Sequence, residues 1–292
     1  MARKLKSFLA CLRYRDAFIF QSPTLIGLAI FFPAVSLANG LRVLLVSGGS
    51  FLLMAYIFSF NDWADIRLDC QNPQPHRPTF LDKGITKREM LALSALLAGV
   101  GVLILGLISR THVLVALIII LLGLAYSFPV RGIQGKGLPV FSSGLHFVNT
   151  LLACLLGSLA FSPIDARALG VGSYLGLLIT AGHLVQEVED YAEDRLANVG
   201  TYAVRFGQKP VFIFACTLFG FSFLFLFGLA QAGLLPTEMR YAILVYPIFL
   251  VAAIRAYRAG LNPESVWRLR GQYRLLFAIV ALSLLVSALV AK

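Results

Sequence analysis

The chain is dominated by long apolar runs, and these limit the fold more than any other feature. Crossing a hydrocarbon core of roughly 30 Å takes about 20 helical residues, and nine runs approach that length. They lie near 23–41, 43–60, 89–109, 112–128, 138–161, 168–186, 210–235, 241–257 and 273–291. Hydrophobic residues make up 59% of the 292 and charged residues only 13%, which is outside the soluble mixture. A segment inside a bilayer must satisfy its own backbone, so such runs fold as helices. Pro33 and Pro247 fall inside the first and eighth runs, where proline kinks a membrane helix and neighbours satisfy the freed carbonyl. Ser22-Pro23 predicts a helix start, a capping hydroxyl followed by proline in the first turn. The expected architecture is an all-α, polytopic membrane protein of about nine transmembrane helices.

The net charge of +11 raises nucleic acid as a partner, but the distribution of the charge argues against it. Twenty of the 25 Lys and Arg fall in the N-terminal segment and in the loops after even-numbered runs. Arg42, Arg110, Arg167, Arg240 and Lys292 are alone in the others. This is a positive-inside bias. It predicts a cytoplasmic N-terminus and a C-terminus on the opposite side, with some attraction to anionic lipid. Met1 to Arg15 is basic and amphipathic and lacks a signal-peptide cleavage pattern; residues 1–20 are expected at the cytoplasmic interface. Cys11, Cys70, Cys154 and Cys216 have no paired spacing for zinc or disulfides.

Acidic residues are few, and they cluster. Asn61, Asp62, Asp65 and Asp69 follow the second run, and if its helix continues the three carboxylates share one face. The same register returns 125 positions later as Gln186, Glu187, Asp190 and Asp194. Eight of the fourteen acids lie in these two nine-residue windows. A single acidic stretch reads as a solvated helix end, but a duplicated one in so acid-poor a chain reads as a divalent-cation site. Carboxylate and amide oxygens are hard ligands suited to Mg²⁺, which keeps waters and shares itself with phosphate. Glu189 and Glu193 fall off that face and are expected to be solvated.

The windows are separated by four runs, and an even number preserves orientation. The chain therefore reads as one membrane domain, 1–292, built from two parallel four-helix repeats, about 20–130 and 138–258, with a ninth helix appended. Both windows then face a central cavity. Arg67, Arg77, Lys83, Arg131, Lys136, Arg195, Arg205 and Lys209 ring it on the same side, a setting for a highly charged anion such as diphosphate. Runs rich in Phe and Leu suit an isoprenoid tail, and aromatic faces stabilise an allylic cation. Most of the 23 Phe simply face lipid.

Asn61–Asp69 resembles the NDxxDxxxD signature of the UbiA-type intramembrane prenyltransferases. The second window resembles their DxxxD motif, with a family-like tail from Asn198 to Gly207. Arg77-Pro78 resembles the family's Arg-Pro, and Tyr126-Ser127 with Arg131 and Lys136 resembles its Tyr and basic loop. The resemblance spans essentially the whole chain. It implies two magnesium ions, with manganese as a substitute, held by Asn61, Asp62, Asp65, Asp69, Gln186, Glu187, Asp190 and Asp194. Asp62, Asp65, Asp69, Asp190 and Asp194 are the implied catalytic set. Arg67, Arg77, Lys83, Tyr126, Arg131, Lys136 and Arg195 are the implied diphosphate contacts. Ile66 stands where many members have Arg, the segment Thr79 to Gly84 lacks their Leu-Pro-Ser-Gly turn, and Gln186-Glu187 replaces a commoner Asn or Asp. These departures leave the acceptor open.

His183 precedes Gln186 and Glu187 on the same face, and His146 and Asn149 lie within the fifth run. Polar groups there face a bundle interior: the three are candidates for the acceptor side, against interhelical hydrogen bonding. The expected activity is transfer of a prenyl group from a polyprenyl diphosphate to a small acceptor, an aromatic or quinone-precursor ring. The alternative is a UbiA-type terpene cyclase with the same metals. A cation transporter accounts for the acids but not for the ring of cations. Oligomeric state is open.

Overall fold

The computed structural model describes residues 2–71, 78–128 and 135–290, and all regular structure among them is helical. Two short helices, α1 (Ala2–Cys11) and α2 (Tyr14–Phe20), precede α3 (Ser22–Phe31). Then come α4 (Leu37–Gln71), α5 (Lys87–Gly106), α6 (Arg110–Ser127), α7 (Pro139–Ser158) and α8 (Ala166–Glu189). Two short pieces follow, α9 (Tyr191–Leu196) and α10 (Tyr202–Phe206), and then α11 (Gln208–Gln231), α12 (Val245–Arg258) and α13 (Pro263–Val290). Among the described residues eight helical stretches are long and apolar enough to cross a membrane, one of them α12 together with the 3₁₀ turns Thr237–Leu244 that lead into it, and α3 is a ninth, apolar but only ten residues long.

The sequence places the breaks inside the first two runs differently from the fold. Pro33 ends the first helix instead of kinking it. Phe32 turns extended, and the chain becomes helical again at Leu37. Arg42, expected in a loop, therefore lies in α4, where its Nη1 donates to Ala160 O at 3.1 Å. Ser22 is not a cap: the residue before the helix is Gln21, itself in a right-handed helical conformation, with its amide donating to Ser47 O at 2.8 Å. Elsewhere the starts follow side-chain chemistry. Thr86 and Glu89 form a reciprocal capping box on α5, and Ser109 and Asp165 cap α6 and α8. The basic segment expected as a loop through Arg274 is helical from Pro263, so α13 brings Arg268, Arg270 and Arg274 onto a helix.

Close packing relies on small residues, as it must where lipid offers no hydrophobic drive between helices. A Cβ on Gly27 would sit 2.2 Å from Cys154 O, and one on Gly157 would sit 2.1 Å from Thr24 O. Helices α3 and α7 therefore touch backbone to backbone. One core joins α4, α5 and α6 through Leu53, Leu105, Ala116 and Ile119. Another joins α8, α11, α12 and α13 through Phe219, Phe223, Phe249 and Tyr273. Phe219 and Phe249 meet edge to face at 4.8 Å.

Candidate active site

Helix α4 runs unbroken through the first acidic window. Asp62, Asp65 and Asp69 consequently line one cavity of about 510 Å³, as one helical face requires. The opposite wall is the second window, with Gln186, Asp190, Glu193 and Asp194. Here α8 stops at Glu189, Asp190 forms its C-cap, and α9 resumes at Tyr191. The two windows thus face one another across a single polar space.

The carboxylates are already engaged with cations. Asp65, only 9% exposed, takes Lys136 Nζ at 2.6 Å on one oxygen and Asn61 Nδ2 at 3.0 Å on the other. Asn61 Nδ2 also lies 3.3 Å from Ser127 Oγ. Asp62 takes Arg13 Nη1 at 3.2 Å, and Arg13 also binds Asp16 at 2.7 Å. Arg13 occupies the left-handed backbone region with φ 44°, uncommon for a residue with a side chain. The turn it makes between α1 and α2 aims its guanidinium over the Phe58 ring, 4.7 Å from the centroid. Lys83 lines the cavity and donates to Ala10 O at 3.0 Å.

The second window is less well compensated. Burial pushes the Asp190 carboxyl up to about 7, helped by the charges of Asp194 and Glu189. Burial likewise pushes Asp194 up to about 6. Glu187 is buried, and its Oε2 accepts from Tyr202 N at 2.8 Å, so it also fixes the start of α10. Glu189 is not solvated as expected; it pairs with Arg270 from α13. Arg270 Nη2 also donates to Gln186 Oε1 at 3.3 Å.

Several expected cations stand elsewhere. Arg67 and Arg195 are exposed and line none of the cavities, with Arg195 directed at Tyr191 Oη at 3.3 Å. Arg205 donates to Gly200 O at 2.9 Å and Gly137 O at 3.1 Å, tying the tail of the second window to the turn that carries Lys136. Lys209 lies 5.9 Å from the Tyr257 ring centroid. Arg77 and Arg131 fall outside the described residues. Arg13, Arg270 and Arg274 line the polar cavity and are absent from the sequence-derived set. Each comes from a segment with no motif, and Arg270 reaches the cavity only because α13 begins at Pro263.

Deeper in, a pocket of about 270 Å³ continues from the polar space. It gathers Asn61, Tyr126, His146, Asn149, His183 and Glu187 beside Met54, Ile57, Phe58 and Leu122. His183 Nε2 lies 3.1 Å from both Ser142 Oγ and Glu187 Oε1. The His146 and His183 rings stack with centroids 3.9 Å apart, and Tyr126 meets His146 edge on at 5.3 Å. From these histidines an apolar channel of about 560 Å³ runs between α3, α8 and α13, past Ile26, Tyr174, Leu178 and Phe277.

The donor chemistry of the two windows fits magnesium. All its side-chain donors are hard oxygens, and the charges of Arg270 and Lys136 only partly offset the burial of Asp190 and Asp194. Among the described residues no three His, Cys, Asp or Glu side chains come together closely enough to hold a metal ion by themselves. Magnesium takes one or two carboxylates and completes its shell with water and phosphate. Glu187 fits least, because one of its oxygens already accepts from Tyr202 N.

Membrane-length helices around a polar cavity walled by carboxylates and cations define an integral, multi-pass membrane enzyme. The chain belongs to the UbiA prenyltransferase family, whose model matches residues 21–278, and is accordingly a prenyltransferase. No curated protein matches it. Its fold is similar to that of a solved structure concerned with digeranylgeranylglyceryl phosphate synthase in membranes. That match has a TM-score of 0.74 at 20% identity and covers 99% of each chain. It is also similar to a UbiA homologue from Archaeoglobus fulgidus bound to GPP and Mg²⁺, with TM-score 0.71, 17% identity, and 96% and 99% coverage. An apo UbiA homologue from Aeropyrum pernix K1 matches with TM-score 0.70 at 16% identity, covering 92% and 97%.

Proposed function

We propose that this protein transfers a prenyl group from a polyprenyl diphosphate to a small aromatic or quinone-precursor acceptor inside the membrane, releasing diphosphate. The observation that carries the reading is the cavity itself: two acidic windows and five cations, Arg13, Lys83, Lys136, Arg270 and Arg274, enclose a space for a diphosphate, and it is continuous with apolar walls. The Archaeoglobus fulgidus homologue bound to GPP and Mg²⁺ supports the donor class. Lys136, Lys83 and Arg13 hold the diphosphate oxygens and offset the charge that grows on them as the C–O bond breaks. Phe58, whose face already carries the Arg13 guanidinium, and Tyr126 present π-electrons to the allylic cation left behind. The acceptor carbon attacks that cation from the side of His146, Asn149 and His183, and the ring then loses the proton of that carbon to water or to the released diphosphate. Asn61, Asp62, Asp65, Asp69, Gln186, Glu187, Asp190 and Asp194 would hold two magnesium ions, or manganese in their place. When bound, these add positive charge at the diphosphate and make it a better leaving group.

Arg77 and Arg131 belong to the same diphosphate assignment by motif. Arg67 and Arg195, which face away from the cavity, are the weaker members of it. The domain reading, 1–292 with repeats at 20–130 and 138–258, and a cytoplasmic N-terminus are parts of the same proposal. The test is product analysis of purified protein with geranyl, farnesyl and geranylgeranyl diphosphates, with and without acceptor and chelator. Transfer expects a metal-dependent adduct that appears only with acceptor. A cyclic terpene formed from donor alone identifies the cyclase instead, and an untouched donor sinks both readings.

A further inference from the structure

Among the described residues, four enclosed polar atoms of the inner pocket's lining side chains have no hydrogen-bond partner: Glu187 Oε1, Thr201 Oγ1 and two on α7. The two on α7 are His146 Nε2 and Asn149 Oδ1, three residues apart and so on one face. Both side chains line the 270 Å³ pocket. Polar groups inside a span are unfavourable unless they meet a partner, and those facing a cavity mark substrate paths. Of the neighbouring hydroxyls, Thr150 Oγ1 donates to His146 O at 2.8 Å, and Ser142 Oγ meets His183 Nε2.

The unpartnered pair is held in place. Tyr126 and His183 flank the His146 ring. His183 rests on Ser142 and Glu187, and Glu187 rests on Tyr202 N. A pocket supported in this way is pre-organised for a ligand group. The group it suits is a hydroxyl, which both donates and accepts: it donates to Asn149 Oδ1 and accepts from His146. An ionised carboxylate only accepts. It would face Asn149 Oδ1 and the acids Glu187, Asp190 and Asp194 across the pocket, while the pocket's two cations, Arg13 and Lys136, already pair with the first window. His146 and His183 also close the inner end of the apolar channel between α3, α8 and α13, so a ligand reaching them from that side is lipid-soluble.

We propose that His146 and Asn149 bind the hydroxyl of a neutral, membrane-borne acceptor, a phenol or hydroquinone without a carboxylate. This rests on the reading of the cavity as a prenyl-transfer site and names its second substrate by class. The test uses the full chain in detergent with geranyl diphosphate and magnesium, and three probes: trimethylhydroquinone, its dimethyl ether and 4-hydroxybenzoate. The hydroquinone should be prenylated, the ether ignored, and the carboxylated phenol used at least roughly tenfold less efficiently. Asn149→Leu and His146→Phe should raise the hydroquinone KM roughly tenfold or more, with donor half-saturation moving little. In parallel, hydroquinone should raise the Tm of the wild type but not of Asn149→Leu, a readout that needs no turnover. A preference for 4-hydroxybenzoate overturns the proposal. So does a wild-type hydroquinone KM in Asn149→Leu, or donor consumption with none of the three probes accepted. Failure of the wild type to consume donor overturns the prenyl-transfer reading itself, and this inference with it.

Discussion

Asp65 is buried between Lys136 and Asn61. Asp190 stands across the cavity with its carboxyl pushed up to about 7 by burial. If both serve one bound diphosphate, Asp65→Ala and Asp190→Ala should each lower kcat roughly 10²-fold or more, and the double variant should be little worse than either, because residues acting as a unit are not additive. An Asp190→Ala enzyme with near-wild-type turnover beside a dead Asp65→Ala would reduce the second window to a helix end. Lys136→Ala and Arg13→Ala should act on the donor and raise its half-saturation roughly tenfold each; wild-type donor kinetics in both would make them topology charges only. The carboxylates were legible because spacing along a helix fixes facing. The same rule should have excluded Arg67, which lies two residues and therefore about 200° around α4 from Asp65. Arg13 and Arg270 were not legible, since they meet the site through tertiary packing of segments that carry no motif.

The long helices follow the apolar runs closely because lipid leaves their backbones no other solution. Their ends were less legible. The sequence predicts a kink at Pro33 inside a span, yet with the preceding helix only ten residues long the chain simply leaves the helix and restarts at Leu37. Helix α13 starts ten residues ahead of its apolar run because a charged segment facing a polar cavity can be helical without being apolar. The contact between α3 and α7 belongs to this scale. Gly157→Leu drives a side chain into the Thr24 carbonyl and should cost about 1–3 kcal/mol, seen as a Tm several degrees lower. An unchanged Tm would mean that the two helices can separate without loss. Arg205→Ala should release the turn holding Lys136 and raise donor half-saturation with a smaller effect on kcat.

On the scale of the whole molecule, two large packed cores, one around α4–α6 and one around α8 and α11–α13, sit with a smaller one of Cys11, Ile66, Phe80, Ile85 and Met90 that takes in the first acidic window. The proposed four-helix repeats predict the orientation of the ends, although the cores cross them, with Ile26 and Ile30 of α3 in the α8 core and Leu156 of α7 in the α4–α6 core. A reporter fused after Lys292 should then lie opposite one placed near Arg268, whereas a shared side would break the orientation argument. The two halves also have a reason to respond to ligand together. Burial disfavours the charged forms of Asp190 and Asp194 more than Arg270 and Lys136 favour them, while Arg13 and Lys136 pair with the first window. Magnesium with a diphosphate supplies further positive charge to one wall and an anion to the cations of the other, so it should bind the two cores to each other. A ligand present at about 100 times its Kd stabilises the folded state by about 2.7 kcal/mol. Geranyl S-thiolodiphosphate, which resists ionisation, plus magnesium should therefore raise the wild-type Tm by several degrees, and neither alone should match the pair. Asp65→Ala and Asp190→Ala should each lose the shift, since each removes one wall of the bridge. An equal shift in Asp190→Ala would show that the diphosphate is held by the α4 side alone, and that the two cores do not share a ligand.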